Sequence, residues 1–148
     1  MRLWRISDYA DLSGLGGTFA PGRWHSKGRH IVYMAETSAL AMLEVLVNLE
    51  VTAVPESFQL IELSAPDDIS VTHWPDRTAA VDDKAATAWG DAFLRAGDTP
   101  LARVPSVVAP ESWNYLLNPL HPDATLVRVI RAARWPWDAR LFGREQAR

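Results

Sequence analysis

Short runs in which apolar and polar residues alternate recur along the chain and predict a set of β-strands. Residues 57–63 (SFQLIEL) alternate as a half-buried strand does. Four further runs predict strands at 3–6 (LWRI), 30–34 (HIVYM), 103–109 (RVPSVVA) and 125–130 (TLVRVI). The five runs together indicate a protein with a substantial sheet.

Two longer segments have helical patterns, and both carry local end signals. Residues 39–48 follow the dipeptide Thr37–Ser38, either residue of which can cap a helix. Residues 79–95 are rich in alanine and predict a second helix, which Gly90 interrupts and Gly97 ends.

The segments between these elements predict loops and turns. The glycines between residues 14 and 28 indicate a connection with unusual backbone angles or a close approach to a ligand. Their spacing is not that of a dinucleotide-binding fingerprint, and the chain has no Gly-Lys-Ser/Thr of a P-loop. Residues 64–77, with their prolines and aspartates, predict an irregular connection. Residues 111–117 predict a short helix or turn.

The order of these elements predicts the fold class. Strands and helices follow one another without strict alternation, and the chain has no internal repeat, low-complexity run or long linker. A chain of 148 residues can bury one core. We therefore predict a single compact α+β domain over residues 1–148, with a mixed or antiparallel sheet and flanking helices.

Composition narrows the class of protein further. Hydrophobic residues make up 48% and charged residues 22%, which excludes a disordered chain. No apolar run is long enough to span a membrane, and the start has no secretory h-region. The absence of cysteine excludes disulfides and thiolate metal sites. A net charge of −3 argues against non-specific nucleic-acid binding. We expect a cytoplasmic protein with neither a membrane nor a nucleic-acid partner.

Glu44 is the most informative candidate residue. It is the only charged residue in ALAMLEVLV (39–47), a helix apolar enough to be buried on most of its faces. A buried carboxylate needs a cationic or hydrogen-bonding partner. Glu44 is therefore either structural, as half of a buried ion pair or as a cap of nearby backbone N–H groups, or a carboxylate that stabilises the oxocarbenium charge of a sugar.

Three other residues are candidates for contact with a ligand, and two of them also have a structural interpretation. Arg23, in the glycine-rich segment, can bind a phosphate or carboxylate through two hydrogen bonds. Alternatively, it only pairs with Glu44 or is a solvated loop residue. Tyr33 can stack on a flat base and hydrogen-bond a ribose, or it can be core. Ser106 lacks the Gly-x-Ser-x-Gly context of a hydrolase nucleophile, which leaves hydrogen bonding to a ligand.

The remaining polar and aromatic features are less specific. Asn118 and His121 each precede a proline, which is typical of turns where such side chains bond the backbone. The four histidines have no metal-ligand spacing, so we expect no metal site. Most of the seven tryptophans are predicted core or subunit contacts, and one or two can line a ligand pocket. The arginine-rich tail, 128–148, is either a solvated face or a docking surface for an acidic partner.

Several motifs together resemble the RES-domain family, the toxin halves of toxin–antitoxin pairs. They occur in family order through most of the chain. The family usually has asparagine where His25 stands. The motifs are LWRI, GRWHSKGRHIVYMAE, SALAMLEVLVNL, the Trp89-Gly90-Asp91 segment and RVPSVVAPESWNYLLNPLHPD.

The resemblance implies a fold similar to ADP-ribosyltransferases, with a split, mixed β-core and an NAD-binding cleft. It implies an enzyme that cleaves the nicotinamide–ribose bond of NAD⁺, with water, phosphate or a protein side chain as acceptor. NAD⁺ is then a consumed substrate, phosphate a possible co-substrate, and no cofactor is needed. By motif position, the catalytic residues are Arg23, Tyr33, Glu44 and Ser106. The expected substrate-binding residues are Arg23, Trp24, Tyr33, Ser106 and Asn118.

The resemblance also implies a partner, and two other functions stay open. An antitoxin with an Xre-like helix-turn-helix is expected to block the active site, and apolar, tryptophan-rich surface elements can support a homodimer. One alternative is a catalytically inactive module that binds a nucleotide or docks a partner. Another is a glycoside-processing enzyme, for which Glu36 or Glu62 would supply the second carboxylate.

Overall fold

Seven strands, three helices and three 3₁₀ turns make up the part of the chain that the computed structural model describes, residues 1–76 and 82–143. The strands are β1 (Arg2–Ile6), β2 (Val32–Ala35), β3 (Ser57–Ser64), β4 (Val71–His73), β5 (Leu101–Pro105), β6 (Trp113–Leu117) and β7 (Arg128–Pro136). The helices are α1 (Gly16–Phe19), α2 (Ser38–Leu46) and α3 (Asp83–Ala96). The 3₁₀ turns are Val51–Ala53, Pro122–Leu126 and Ala139–Phe142.

All seven strands join one mixed sheet in the order β4-β5-β6-β2-β1-β3-β7. Only β4 and β5 pair in parallel within the described residues, and the other neighbours are antiparallel. This confirms the predicted α+β class with a mixed sheet.

The sheet is split at the join between β1 and β2. These strands share one register pair, Trp4 with Ala35, whereas β1 and β3 share five pairs and β2 and β6 share four. Strands that hydrogen-bond over so short a length diverge elsewhere, which opens space between the halves β4-β5-β6-β2 and β1-β3-β7.

The helices cover the halves and the join between them. α3 packs on the sheet through Ala86 and Phe93, against a cluster that includes Trp24 and Val104. α2 lies over the β1–β2 join, where Leu40 and Ala41 pack beside Ala35. The main core lies on the sheet face opposite α3 and contains Leu3, Val32, Met34, Ile61, Leu63, Leu101 and Leu117.

Two predicted loops contain strands. Residues 113–117 (WNYLL) form β6 in the middle of the sheet, so the short helix or turn predicted for 111–117 is wrong. Pairing on both sides with β2 and β5 buries Leu116 and Leu117 completely, which outweighs the nearby turn-forming prolines. Residues 71–73 form β4, because β5 offers a parallel partner that the local sequence does not reveal.

Two predicted strands have different bounds. β5 ends at Pro105, not at residue 109, because the chain then turns through Ser106. The strand predicted at 125–130 begins only after the 3₁₀ turn over Pro122–Leu126 and continues to Pro136. β7 is an edge strand exposed over most of its length.

The ends of α2 and α3 lie where the capping residues predict them, but the burial of α2 differs from its prediction. Thr37 caps α2 by accepting a hydrogen bond from the backbone N–H of Leu40 (3.1 Å), and Gly97 ends α3 with a left-handed φ of 63°. α2 is nevertheless half exposed, with Val47 after its last turn 55% exposed, so its predicted burial on most faces is wrong.

Gly90 does not interrupt α3. The helix runs unbroken through it, and an added Cβ would lie 1.7 Å from the carbonyl oxygen of Trp24. The glycine therefore allows the 14–28 segment to cross the helix at backbone contact. The predicted start of this helix, residues 79–81, lies outside the described residues. Within the described ranges, no helix is long and apolar enough to cross a membrane.

Candidate active site

Glu44 is held by two neutral hydrogen-bond donors. Its Oε1 accepts a bond of 2.6 Å from the Ser106 hydroxyl and one of 2.8 Å from the Asn114 side-chain amide. The prediction that Glu44 needs a partner is confirmed, and the partners are hydrogen-bonding groups. No ion pair involves Glu44 within residues 1–76 and 82–143.

The fold explains why these three residues meet. Asn114 lies on β6 opposite Val104 of β5, and Ser106 follows the end of β5, so the two donors sit side by side at one end of the sheet. α2 crosses this end and brings Glu44 over them. The backbone N–H of Ala109 donates to Ser106 Oγ (3.1 Å), which leaves the Ser106 proton for Glu44.

Both bonds use the same carboxylate oxygen. The other oxygen, Oε2, receives no hydrogen bond from any residue in the described part of the chain. A carboxylate fixed through one oxygen presents the second to a ligand in a set orientation.

The carboxylate faces a small cavity at the split in the sheet. The cavity has a volume of about 140 Å³ and is lined by residues of β1, β2, α2 and β6. Its polar side chains are Glu44, Asn114, Arg5 and Tyr33, and the rest of its lining is apolar. The lining residues are Trp4, Arg5, Ile6, Tyr33, Met34, Ala35, Ala41, Glu44, Val45 and Asn114.

Tyr33 lines this cavity, while its hydroxyl forms hydrogen bonds with the neighbouring loop. The hydroxyl accepts from the backbone N–H of Trp24 (3.1 Å) and lies 2.7 Å from His25 Nδ1. His25 Nε2 lies 2.9 Å from the Ala20 carbonyl, which can only accept, so Nε2 carries the proton and Nδ1 accepts from Tyr33. Burial raises the pKa of Tyr33, so the hydroxyl stays protonated.

Arg5 is a site residue that the sequence analysis missed. It lies on β1 at the split and lines three adjoining cavities, including the one at Glu44. Its guanidinium donates to the Asp11 carbonyl (2.9 Å) and the Ser7 hydroxyl (3.3 Å). Burial lowers the pKa of Arg5, an effect that the charge of Asp11 partly opposes. The sequence feature that could have identified Arg5 is a cationic residue within the otherwise apolar run LWRI.

Arg23 lies away from Glu44. Its guanidinium pairs with Asp83 at the start of α3 (2.7 Å), not with Glu44 as one interpretation held. Its carbonyl accepts from the Thr87 hydroxyl (2.9 Å), which ties the loop to α3. Arg23 is absent from the lining of the cavity at Glu44.

The structure gives Trp24 and Asn118 packing and turn contacts. Trp24 is buried edge-to-face between Trp74 and Trp89. Asn118 donates to the Leu94 carbonyl (3.3 Å) and accepts from the N–H of Leu120 (3.1 Å). It follows β6 four residues after Asn114, about 13 Å along an extended strand.

The carboxylates considered for glycosidase chemistry are engaged elsewhere. Glu36 accepts from the backbone N–H of Trp113 (3.0 Å), and Glu62 pairs with Arg2 (3.3 Å). Neither lines the cavity at Glu44. No group of three or more metal-ligating side chains occurs among residues 1–76 and 82–143.

Comparisons with known proteins point to one family. The RES domain model matches residues 2–138. A "Toxin Res" of Pseudomonas putida KT2440 is 40% identical over 96% of this chain and 100% of its own length. A "Prs ADP-ribosylating toxin" of Sphingobium sp. YBL2 is 33% identical over 94% of this chain and 95% of its own length.

A solved structure has the same fold. It is the M. tuberculosis MbcT–MbcA toxin–antitoxin complex, of which one chain superposes with a TM-score of 0.70. The match covers 99% of this chain and 89% of that chain, at 14% identity, and so supports the architecture alone.

Proposed function

Because this chain belongs to the RES domain family, we propose that it is the toxin half of a toxin–antitoxin pair and that it cleaves the nicotinamide–ribose bond of NAD⁺. Relatives named as toxins, one of them as an ADP-ribosylating toxin, support the class of activity. Cleavage of the nicotinamide–ribose bond is what the resemblance to the family implies, and the cavity at Glu44 offers a chemistry that suits it.

The observation that carries the proposal is a carboxylate with one oriented, open oxygen in a small apolar cavity. When the bond from ribose C1′ to nicotinamide breaks, its electron pair leaves with nicotinamide and positive charge develops on the ribose. A fixed carboxylate in a site of low dielectric stabilises that charge, and nicotinamide needs no general acid to leave.

Each neighbouring residue has a part in this chemistry. Oε2 of Glu44 accepts from the ribose hydroxyls, while Ser106 and Asn114 position the carboxylate through Oε1. The Tyr33 ring packs against the nicotinamide or its ribose. Arg5, with a guanidinium partly removed from water, binds the pyrophosphate. Arg23 is a second candidate cation, which would have to leave Asp83 to reach a phosphate.

The ribosyl cation is then captured by a nucleophile. With water the products are ADP-ribose, nicotinamide and a proton; inorganic phosphate or a protein side chain can take the place of water. NAD⁺ is thus consumed and no cofactor is required. Because such an enzyme depletes NAD⁺ in its host's cytoplasm, we propose an Xre-like antitoxin that blocks the cavity. A homodimer within the complex is also proposed.

Nicotinamide release tests the proposal directly. The purified protein, freed of any partner, is incubated with NAD⁺ with and without phosphate, and nicotinamide is followed by chromatography. We expect release by the wild type and a fall of about 10²–10³-fold in Glu44→Gln, the range for losing one key electrostatic contact. Glu56→Gln, on an exposed carboxylate, is the matched control and should match the wild type.

The outcome separates catalysis from structure. Glutamine keeps an oxygen that can accept from Ser106 and Asn114, so the melting temperature should change little. Wild-type release that survives Glu44→Gln contradicts the role of Glu44. No release from folded wild-type protein contradicts NAD⁺ cleavage and favours an inactive binding module.

A further inference from the structure

A second, larger cavity adjoins the one at Glu44 and, apart from Arg5, contributes no residue to the chemistry described above. It has a volume of about 400 Å³ and is formed by the β1–α1 connection and by α1. Arg5 lines both cavities, and a third cavity that contains Arg5 and Tyr33 lies between them. The three share lining residues and adjoin one another beside the split in the sheet, and we refer to them together as the groove.

Two aromatic rings at the larger cavity are strongly exposed. Tyr9 is 74% exposed and Phe19 is 70% exposed, and both line the cavity. Within the described part of the chain, the only other aromatic side chain classed as exposed is Trp135 on β7, at 47%. Exposed rings that line one cavity from two segments offer aromatic faces on which a planar group can stack.

The loop that carries Tyr9 is held in place by its own polar groups. The hydroxyl of Ser7 accepts from the N–H of Tyr9 (3.1 Å), and the carboxylate of Asp11 accepts from the N–H of Ser13 (3.1 Å). Arg5 ties the loop to β1 through the Asp11 carbonyl (2.9 Å). Tyr9 is therefore presented by an ordered loop, which reduces the entropy lost on binding.

The start of α1, which also lines the cavity, leaves room for a flat ligand. A Cβ added at Gly16 would meet nothing within 4 Å, so the start of α1 is open on the cavity side. The floor, by contrast, is closed: a Cβ added at Gly14 would lie 2.5 Å from the backbone nitrogen of Ile31.

We propose that this cavity binds the purine nucleoside end of the dinucleotide, with the base held by the rings of Tyr9 and Phe19. The inference rests on the proposed function, because it follows one extended substrate from Glu44 along the groove. Such a substrate has its pyrophosphate between its two nucleosides, and Arg5 lies between the two cavities. A guanidinium has five N–H donors, and its two bonds to the loop leave three for phosphate oxygens.

A substrate that lacks the purine nucleoside isolates the effect of the rings. The double variant Tyr9→Ala/Phe19→Ala is compared with the wild type on NAD⁺ and on nicotinamide mononucleotide, by nicotinamide release. Stacking of one base contributes about 1–3 kcal/mol, so we expect KM for NAD⁺ to rise about 5–150-fold with kcat within twofold. The kcat/KM for the mononucleotide should be unchanged.

Two further variants control for loss of surface area and for the ring itself. Trp135→Ala removes an exposed aromatic residue from β7 and should leave both substrates unaffected. Tyr9→Phe keeps the stacking ring and should keep KM for NAD⁺ within about threefold of the wild type.

The outcomes separate this inference from the proposed function. If KM for NAD⁺ is unchanged in the double variant, or if the mononucleotide loses as much kcat/KM as NAD⁺ does, the inference is overturned. If the wild type releases no nicotinamide from either substrate, the proposed function fails. ADP-ribose binding by calorimetry then decides the inference: binding by the wild type that the double variant lacks supports it, and no binding or equal binding overturns it.

Discussion

At the scale of single residues, the Tyr33 hydroxyl joins the sheet to the 14–28 segment. It accepts from the N–H of Trp24 and donates to the imidazole of His25. Gly22 makes this contact possible, since a Cβ there would lie 2.5 Å from the hydroxyl oxygen. These hydrogen bonds fix the orientation of the Tyr33 side chain, which lines the cavity.

Tyr33→Phe should destabilise the fold by about 1–3 kcal/mol, because it leaves a buried N–H and a buried imidazole nitrogen without their partner. Urea unfolding measures the change. Tyr115→Phe is the matched control: its hydroxyl has no hydrogen bond among the described residues, so we expect a change below about 0.5 kcal/mol. Equal effects of the two substitutions would show that the hydroxyl network contributes nothing.

At the scale of elements, α3 is joined to the 14–28 segment by backbone contact and a hydrogen bond, and to the adjoining Arg29 by an ion pair. The contact is at Gly90 against Trp24. The ion pair is Asp91 with Arg29 (3.0 Å), and Asp91 also accepts from the N–H of Ser26 (2.9 Å). These attachments hold the segment that carries Trp24 and His25 behind Tyr33.

Gly90→Ala should destabilise the protein by about 3 kcal/mol or more, although alanine is the better helix former. The reason is that the new Cβ would overlap the Trp24 carbonyl and force the loop off the helix. Ala92→Gly, at an exposed position of the same helix, gives the ordinary cost of a helical glycine, about 1 kcal/mol. A stabilised Gly90→Ala in chemical denaturation contradicts the predicted close contact.

Asp91 should make this attachment sensitive to acid. Burial alone would raise the pKa of Asp91, but the hydrogen bonds from Ser26 and the charge of Arg29 outweigh it and hold the pKa below its usual value. A carboxyl with a lowered native pKa contributes its full stability above its unfolded pKa, about 3.9. That contribution is lost as pH falls from there through the native pKa.

The difference in unfolding free energy between wild type and Asp91→Asn should therefore be constant near neutral pH and shrink as pH falls below about 4. Denaturant unfolding between pH 7 and pH 3 measures it. Asp98→Asn, at an exposed position after α3, should show a small difference at every pH. If the difference in unfolding free energy between the wild type and Asp91→Asn stays constant down to pH 3, the pKa of Asp91 is not lowered by folding.

At the scale of the whole molecule, the groove lies where the two halves of the sheet meet. β1 supplies Arg5, β2 supplies Tyr33, and α2 crosses the join with Glu44. A ligand bound along the groove contacts both halves. It should therefore stabilise the molecule as a unit.

ADP-ribose at 100 times its Kd should raise the unfolding free energy of the wild type by about 2.7 kcal/mol. Arg5→Gln should lose most of that gain at the same ligand concentration, because the pyrophosphate loses its cation. Arg2→Gln, on the same strand but exposed and paired with Glu62, should keep the full gain. Denaturation with and without ligand measures all three, and equal gains would contradict the placement of the pyrophosphate at Arg5.

The sequence by itself determined the features that depend on neighbours along the chain. Thr37 and Gly97 mark helix ends because capping and a left-handed turn act within a few residues. The alternation in SFQLIEL predicts β3 because one face of that strand is buried. A lone charge in an apolar helix singled out Glu44, because an unpartnered carboxylate there is costly. The motifs, which keep family order and spacing, were sufficient for the family.

Only the tertiary structure decided which distant residues meet. Asn114 became the partner of Glu44 because WNYLL, seen locally as a turn, pairs between β2 and β5. Arg5 joined the site because β1 and β2 share a single residue pair and leave a gap beside it. Strand pairing and cavities depend on contacts between segments tens of residues apart. These contacts produce no hydrophobic periodicity within either segment, so the sequence of one segment does not reveal them.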